Sequence, residues 1–175
     1  MTLKVKAEHA NAFLVGAYEV LRLQLDARPL RGSPLLRSGS ATSARDLVAL
    51  IALRGDLTGD LFYSMSQATA TKVQEVLNRN CRDEAGRGDV VTQLSRLMAT
   101  KAGELLAEQG LTCELAEPRL ILGAGHTVTD LGPVLIVPFS TEFGDIDIGL
   151  ALSDGARAAH ALTLDNSAEA DEDAA

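Results

Sequence analysis

A chain of 175 residues, 46% of them apolar and 23% charged, is long enough to bury one core without disulfide or metal staples. The formal charge is −8, but beyond residue 153 Asp154, Asp165, Glu169, Asp171, Glu172 and Asp173 stand against Arg157 alone, so the body is near neutral. A near-neutral body with no Trp and only six aromatics offers no basic stripe and few stacking platforms, which argues against the nucleic-acid-binding classes.

The N-terminus, MTLKVKAEH, lacks the apolar run of a secretory signal, and charges interrupt every later apolar run well short of the ~18 residues that span a bilayer. A cytoplasmic location with no membrane contact is expected. Residues 9–26, HANAFLVGAYEVLRLQLD, place apolar side chains at 13, 14, 17, 20, 21 and 25, one stripe of a helix that Pro29 and Gly32 then break. The arginines at 28, 31, 37, 45 and 54 are interleaved with acids and read as solvated surface. Two aliphatic strands follow, DLVALIALRG and LTGDLFYSMS, joined by the tight link Arg54-Gly55-Asp56. Gly59, inside the second, signals a bulge or close packing against a helix. Ser66 is a good N-cap for a helix over 67–80, and RDEAGRGD after it is a polar, glycine-bearing loop. The longest helical pattern covers 89–109, capped by Asp89, with Val90, Leu94, Leu97, Met98 and Leu105 on one face and Gly110 ending it. Lys101 falls within that face, so it must snorkel unless the face is turned. Three extended segments follow at 120–122, 134–139 and 145–152. The last alternates Ile146, Ile148, Leu150 and Leu152 to one side, as a half-buried antiparallel strand does. Residues 154–175 are rich in Ala and acids and read as a disordered acidic tail on a single domain of residues 1–153. The predicted architecture is α/β: helices packed on one face of a predominantly antiparallel sheet.

Candidate chemistry is sparse. His9, His126 and His160 have no ligand spacing, so no metal is expected, and Cys81 and Cys113 lack a CxxC pattern and read as reduced thiols. Gly123-Ala124-Gly125-His126 begins like a dinucleotide loop, but Val128 stands where the third Gly belongs, and no helix follows. Glu75 and Asn78, three apart on the second helix, would present a carboxylate beside an amide, a pairing that chance often supplies on exposed helices. Gln93, Arg96 and Thr100 line up at i, i+3 and i+7 beside the apolar stripe of the long helix, either an ordinary solvated edge or a binding face.

Several segments, in order over roughly residues 9–152, resemble one family, the CheX phosphatases of bacterial chemotaxis, relatives of CheC. They are Asn11-Ala12-Phe13, RGSPLLRSGS at 31–40 and the hairpin with its Ala-containing helix, DLVALIALRGDLTGDLFYSMSQATA, at 46–70. AGELLAEQG at 102–110, PRLILGAGHTV at 118–128 and VLIVPFSTEFGDIDIGLAL at 134–152, with its Pro-Phe-x-Thr-x-x-Gly core, complete the set. The resemblance implies the CheX/CheC-like α/β sandwich and hydrolysis of the phospho-aspartate of a CheY-type response regulator, with the Mg²⁺ belonging to the regulator. It also implies a Glu-x-x-Asn pair on the long helix: the acid grips a lysine of the regulator and the amide orients the attacking water, which is catalysis by positioning. Aligned on AGELLAEQG, that pair falls on Gln93 and Arg96. Gln93 keeps hydrogen-bonding reach without the charge, and Arg96 has donors only.

The reading that follows is a CheX-like two-component signalling domain that binds a response regulator or dimerises, with the usual phosphatase pair replaced and Gln93, Arg96 and Thr100 as its partner-binding face. One alternative is an active phospho-aspartate phosphatase with an altered constellation; another is a structural self-assembly domain without regulator contact. A homodimer joined through the sheet is expected, by analogy with family members that pair through edge strands and because the apolar segments 134–139 and 145–152 need cover.

Overall fold

Apolar residues spaced three and four apart wind into α1 (Ala7–Leu25), with Phe13, Leu14, Ala17, Val20, Leu21 and Leu25 buried along one side. Asp26 closes it in the left-handed conformation (φ 51°), a region that Asp tolerates better than most residues, and its N–H bonds the Leu21 carbonyl. The computed structural model describes residues 5–37, 42–43, 45–80, 87–122, 127–128 and 133–154. The predicted loop residues 82–86, the Gly123–His126 turn, Cys81 and the acidic tail beyond Asp154 lie outside them.

After α1 come three short strands, β1 (Leu30–Arg31), β2 (Leu35–Arg37) and β3 (Thr42–Ser43), then the long hairpin of β4 (Leu47–Gly55) and β5 (Leu57–Met65) turning over Asp56. Helix α2 (Gln67–Asn80) begins where expected, because the Ser66 hydroxyl accepts a hydrogen bond from the Thr69 N–H at 3.1 Å. Helix α3 (Arg87–Glu108) starts two residues before the expected Asp89, which therefore lies in the first turn, where a carboxylate favours the helix dipole, rather than at the cap. Its end is a Schellman motif: Gly110 at φ 82°, Leu111 N–H on the Leu106 carbonyl and Gly110 N–H on that of Ala107, both 3.0 Å. Then follow β6 (Cys113–Leu115), β7 (Arg119–Leu122), β8 (Thr127–Val128), β9 (Val134–Thr141) and β10 (Gly144–Asp154).

The main sheet runs β1-β9-β10-β5-β4-β6, with β2 also paired to β9 and β7 to β4; β3 and β8 form a separate ribbon, and every described pairing is antiparallel. All three helices pack on one face, where Leu47, Ala49, Ile51, Leu61, Tyr63 and Ile148 join them in one core. The opposite face holds a smaller cluster of Val48, Leu50, Phe62, Ile121, Val134 and Ala151. The expected α/β fold is therefore the fold observed.

Three expectations about strands change. Segments 134–139 and 145–152 are not bare apolar strands awaiting a second copy: β9 is flanked by β1, β2 and β10, and β10 lies between β9 and β5. The half-buried alternation holds only at the start of β10, where Asp145 is exposed and Asp147 partly so; farther along, Gly149 and Ala151 on its second side are buried as well as Leu150 and Leu152. Gly59 (φ 141°) makes its close approach to a strand, not a helix, since a Cβ there would stand 2.0 Å from the Ala151 carbonyl oxygen of β10.

Candidate functional site

The burial of α3 decides which of its side chains face outward. Val90, Val91, Leu94, Ser95, Met98, Ala99, Ala102 and Leu106 are buried, whereas Leu97 and Leu105 lie at the margin. The buried face is thus turned from the one expected, towards small residues that allow close packing on α1 and the sheet. Ser95 is accommodated because its hydroxyl donates to the Val91 carbonyl at 2.6 Å. With that rotation Lys101 lies at the flank of the core, its ammonium between Glu19 of α1 and Glu104, each at 3.5 Å.

Gln93, Arg96 and Thr100 all come out exposed on this helix, so the structure brings the three predicted residues onto one outward stripe. They are not equivalent. Arg96 and Thr100 border a pit of about 180 Å³ between α3 and the link from β6 to β7, and Gln93 stands outside it, one turn towards the start of the helix. Ile51, Ala99, Leu115 and Pro118 form an apolar floor. The link is pinned from below, where the Ala116 N–H donates to the Ala52 carbonyl at 2.9 Å.

Glu117, on that link, was not singled out from the sequence. Its Oε2 accepts a hydrogen bond from Arg96 Nη2, so the guanidinium is paired across the mouth of the pit. Nothing in the spacing announces a contact between residues 21 apart, one on a helix and one on a short link between strands; only Pro118 hints that the chain leaves regular structure there. The rim accordingly offers a guanidinium with donors only, a carboxylate, and a hydroxyl that both donates and accepts, with the Gln93 amide one turn away. Such a set holds a charged or hydrogen-bonding partner group well. It places no free amide oxygen where Arg96 stands, so no water is oriented from that position.

The other candidates separate from this site. Glu75 is exposed on α2, and the side chain of Asn78 lies outside the described residues. His9 is buried near the start of α1, its Nε2 3.7 Å from Glu8, and His126 and His160 lie outside the described residues. Among the described residues no group of three or more His, Cys, Asp or Glu side chains could hold a metal ion, and Cys113 is a free, half-buried thiol. Arg45 is less solvated than its sequence context suggested: it bonds Asp147 at 2.7 Å and approaches Asp145 at 3.6 Å, contacts that together raise its already high pKa, the hydrogen bond to Asp147 foremost. Among the described residues no helix is long and apolar enough to cross a membrane.

Three comparisons bear on this geometry. No family model matches the chain. The CheY-P phosphatase CheX of Thermotoga maritima is 28% identical over 151 residues, covering 84% of this chain and 96% of that protein. Among solved structures, the chemotaxis protein CheX of Desulfovibrio desulfuricans superposes with a TM-score of 0.72 at 23% identity, over 84% of this chain and 99% of that one. The CheX of a CheX–CheY–BeF3–Mg²⁺ complex from Borrelia burgdorferi does so with a TM-score of 0.64 at 22% identity, over 85% and 100%. At these identities the solved structures speak for the fold.

Proposed function

We propose that the chain, similar in sequence and fold to CheX proteins, is a CheX-like domain that docks a CheY-type response regulator through the stripe Gln93, Arg96 and Thr100 and serves as a binding module in two-component signalling. The observation that carries this reading is the outward presentation of Gln93 and Arg96, three residues apart on α3, where a phosphatase of this type would show Glu and Asn. Gln93 supplies no charge for a lysine of the partner, and Arg96 has no acceptor with which to orient water, so docking is retained and hydrolysis is not. Any Mg²⁺ at the interface would be the regulator's own.

A second reading has one observation in its favour. Glu117 brings a carboxylate to the rim of the pit, and an acid there would replace the charge missing at Gln93, as an active phosphatase with a rearranged constellation requires. The deciding experiment is to mix the purified chain with a phosphorylated CheY-type regulator and follow binding and phosphate release together. Binding with little acceleration of release is the expected result. Fast release that disappears in Asn78→Ala would move the site to α2, and fast release that disappears in Arg96→Ala would leave the site in place and overturn the loss of catalysis.

We also propose that the chain self-associates through the sheet. Support comes from the outer edge beside β9, where Leu30, Leu35 and Leu36 remain 72%, 50% and 42% exposed on β1 and β2.

A further inference from the structure

The ion pair of Arg96 and Glu117 stands at the mouth of a pit larger than the pair itself fills. Both side chains are mostly exposed, 56% and 84%, so the pair is weak and opens at little cost. The hydrogen bond runs from Nη2 to Oε2, and a planar guanidinium with five donors has room for a second acceptor. Behind the pair the pit measures about 180 Å³, and Thr100, whose side chain ends in a hydroxyl, is part of its lining. The apolar floor brings no competing charge. A phosphoryl-type oxyanion suits these donors: two of its oxygens match the guanidinium fork, more strongly than one exposed carboxylate oxygen does, and a third is left for a hydroxyl.

We propose that Glu117 is an internal placeholder, which holds Arg96 over the pit in the resting chain and yields it to the phosphoryl oxyanion of a docked partner, held thereafter by Arg96 and Thr100. This rests on the docking reading of α3 and deepens it, because the residue that removes hydrolysis then becomes the one that reads the phosphorylated state. Glu117 sets the threshold: only an anion that binds the guanidinium better than a single carboxylate displaces it.

The test has two arms on the full chain. In the first, inorganic phosphate is titrated against the wild type, Glu117→Gln, Arg96→Ala and, as a control for net charge, Glu114→Gln, with amide signals of residues 96, 100 and 116 followed by NMR. The wild type is expected to respond saturably, Glu117→Gln to bind about three- to fivefold more tightly, as loss of an exposed ion-pair competitor allows, and Arg96→Ala not to respond. Equal affinity in wild type and Glu117→Gln, an equal gain in Glu114→Gln, or a response that survives Arg96→Ala overturns the proposal. In the second arm, a CheY-type regulator is titrated with and without beryllofluoride and Mg²⁺. Glu117→Gln is expected to tighten binding of the beryllofluoride form alone; equal tightening of both forms would mean that Arg96 takes a carboxylate of the partner, and would overturn the phosphoryl assignment. Absence of regulator binding in every variant would remove the docking reading, while the phosphate arm would still decide the role of Glu117.

Discussion

Arg96 and Gln93 are exposed on a helix whose neighbouring Leu94, Ser95 and Met98 are buried in the core, so the chemistry at these two positions can be exchanged without rebuilding the scaffold. Gln93→Glu with Arg96→Asn is expected to give phosphatase activity on a phosphorylated regulator, gaining on the order of tenfold over wild type, or ~1.4 kcal/mol of barrier. Glu75→Ala is expected to leave the rate unchanged, and phosphate release measured for the three proteins checks both. A different residue, Asp60 on β5, has a cost that varies with pH. It is buried on the second face of the sheet, and desolvation raises its pKa to about 6. The folded chain therefore holds this proton to higher pH than the unfolded one, and the stability tied to the neutral carboxyl is present below the unfolded pKa and lost as pH rises through about 6. Asp60→Asn is expected to be more stable than wild type at pH 7.5 by about 1–2 kcal/mol, with the difference closing towards pH 4, as urea denaturation across that range would show.

At the scale of elements, the caps decide where helices begin and end. Ser66→Ala removes the acceptor for the Thr69 N–H and is expected to cost about 1 kcal/mol, read as a lower urea midpoint at unchanged slope. Caps and long amphipathic runs are also what made α1, α2, α3, β4, β5, β9 and β10 legible in the sequence, because each repeats its pattern over at least two turns of helix or several strand residues. β1, β2 and β6 were missed for the opposite reason. They span two or three residues, too few for alternation to register, and β1 and β2 are exposed throughout. The stripe of Gln93, Arg96 and Thr100 was legible because it lies within one helix. Glu117 was not, since its contact with Arg96 exists only once the β6–β7 link folds over α3. The rotation of α3 was misjudged on similar grounds: its buried face uses Ser95, Ala99 and Ala102, residues whose small size matters only against a close neighbour.

For the whole molecule, the sheet has two ends, each made of two short strands in tandem: β1 and β2 along β9, and β6 and β7 along β4. The β6/β7 end lies next to α3 and the pit, so an attachment there would compete with a docked regulator. The β1/β2 end carries the exposed leucines. A dimer joined at β1/β2 leaves both pits accessible, and light scattering at tens of micromolar is expected to give twice the monomer mass. Leu35→Lys with Leu36→Lys is expected to return the chain to a monomer without loss of helical circular dichroism, since both side chains are outside the core. A monomeric wild type would remove self-association and leave the docking surface untouched.

The place of β10 has a consequence for biosynthesis. It is the last described strand in chain order, yet it lies in the interior of the sheet, pairing with β5 on one side and β9 on the other. A translating ribosome thus releases α1, the β4–β5 hairpin and both later helices before the strand that fastens β5 to β9 exists. Through that interval β5 presents an open edge along Leu57–Met65, and the leucines, tyrosine and methionine it will bury have nothing on one flank. The nascent chain is therefore most open to misassembly at its middle until β10, paired with β9 in one hairpin, covers that edge.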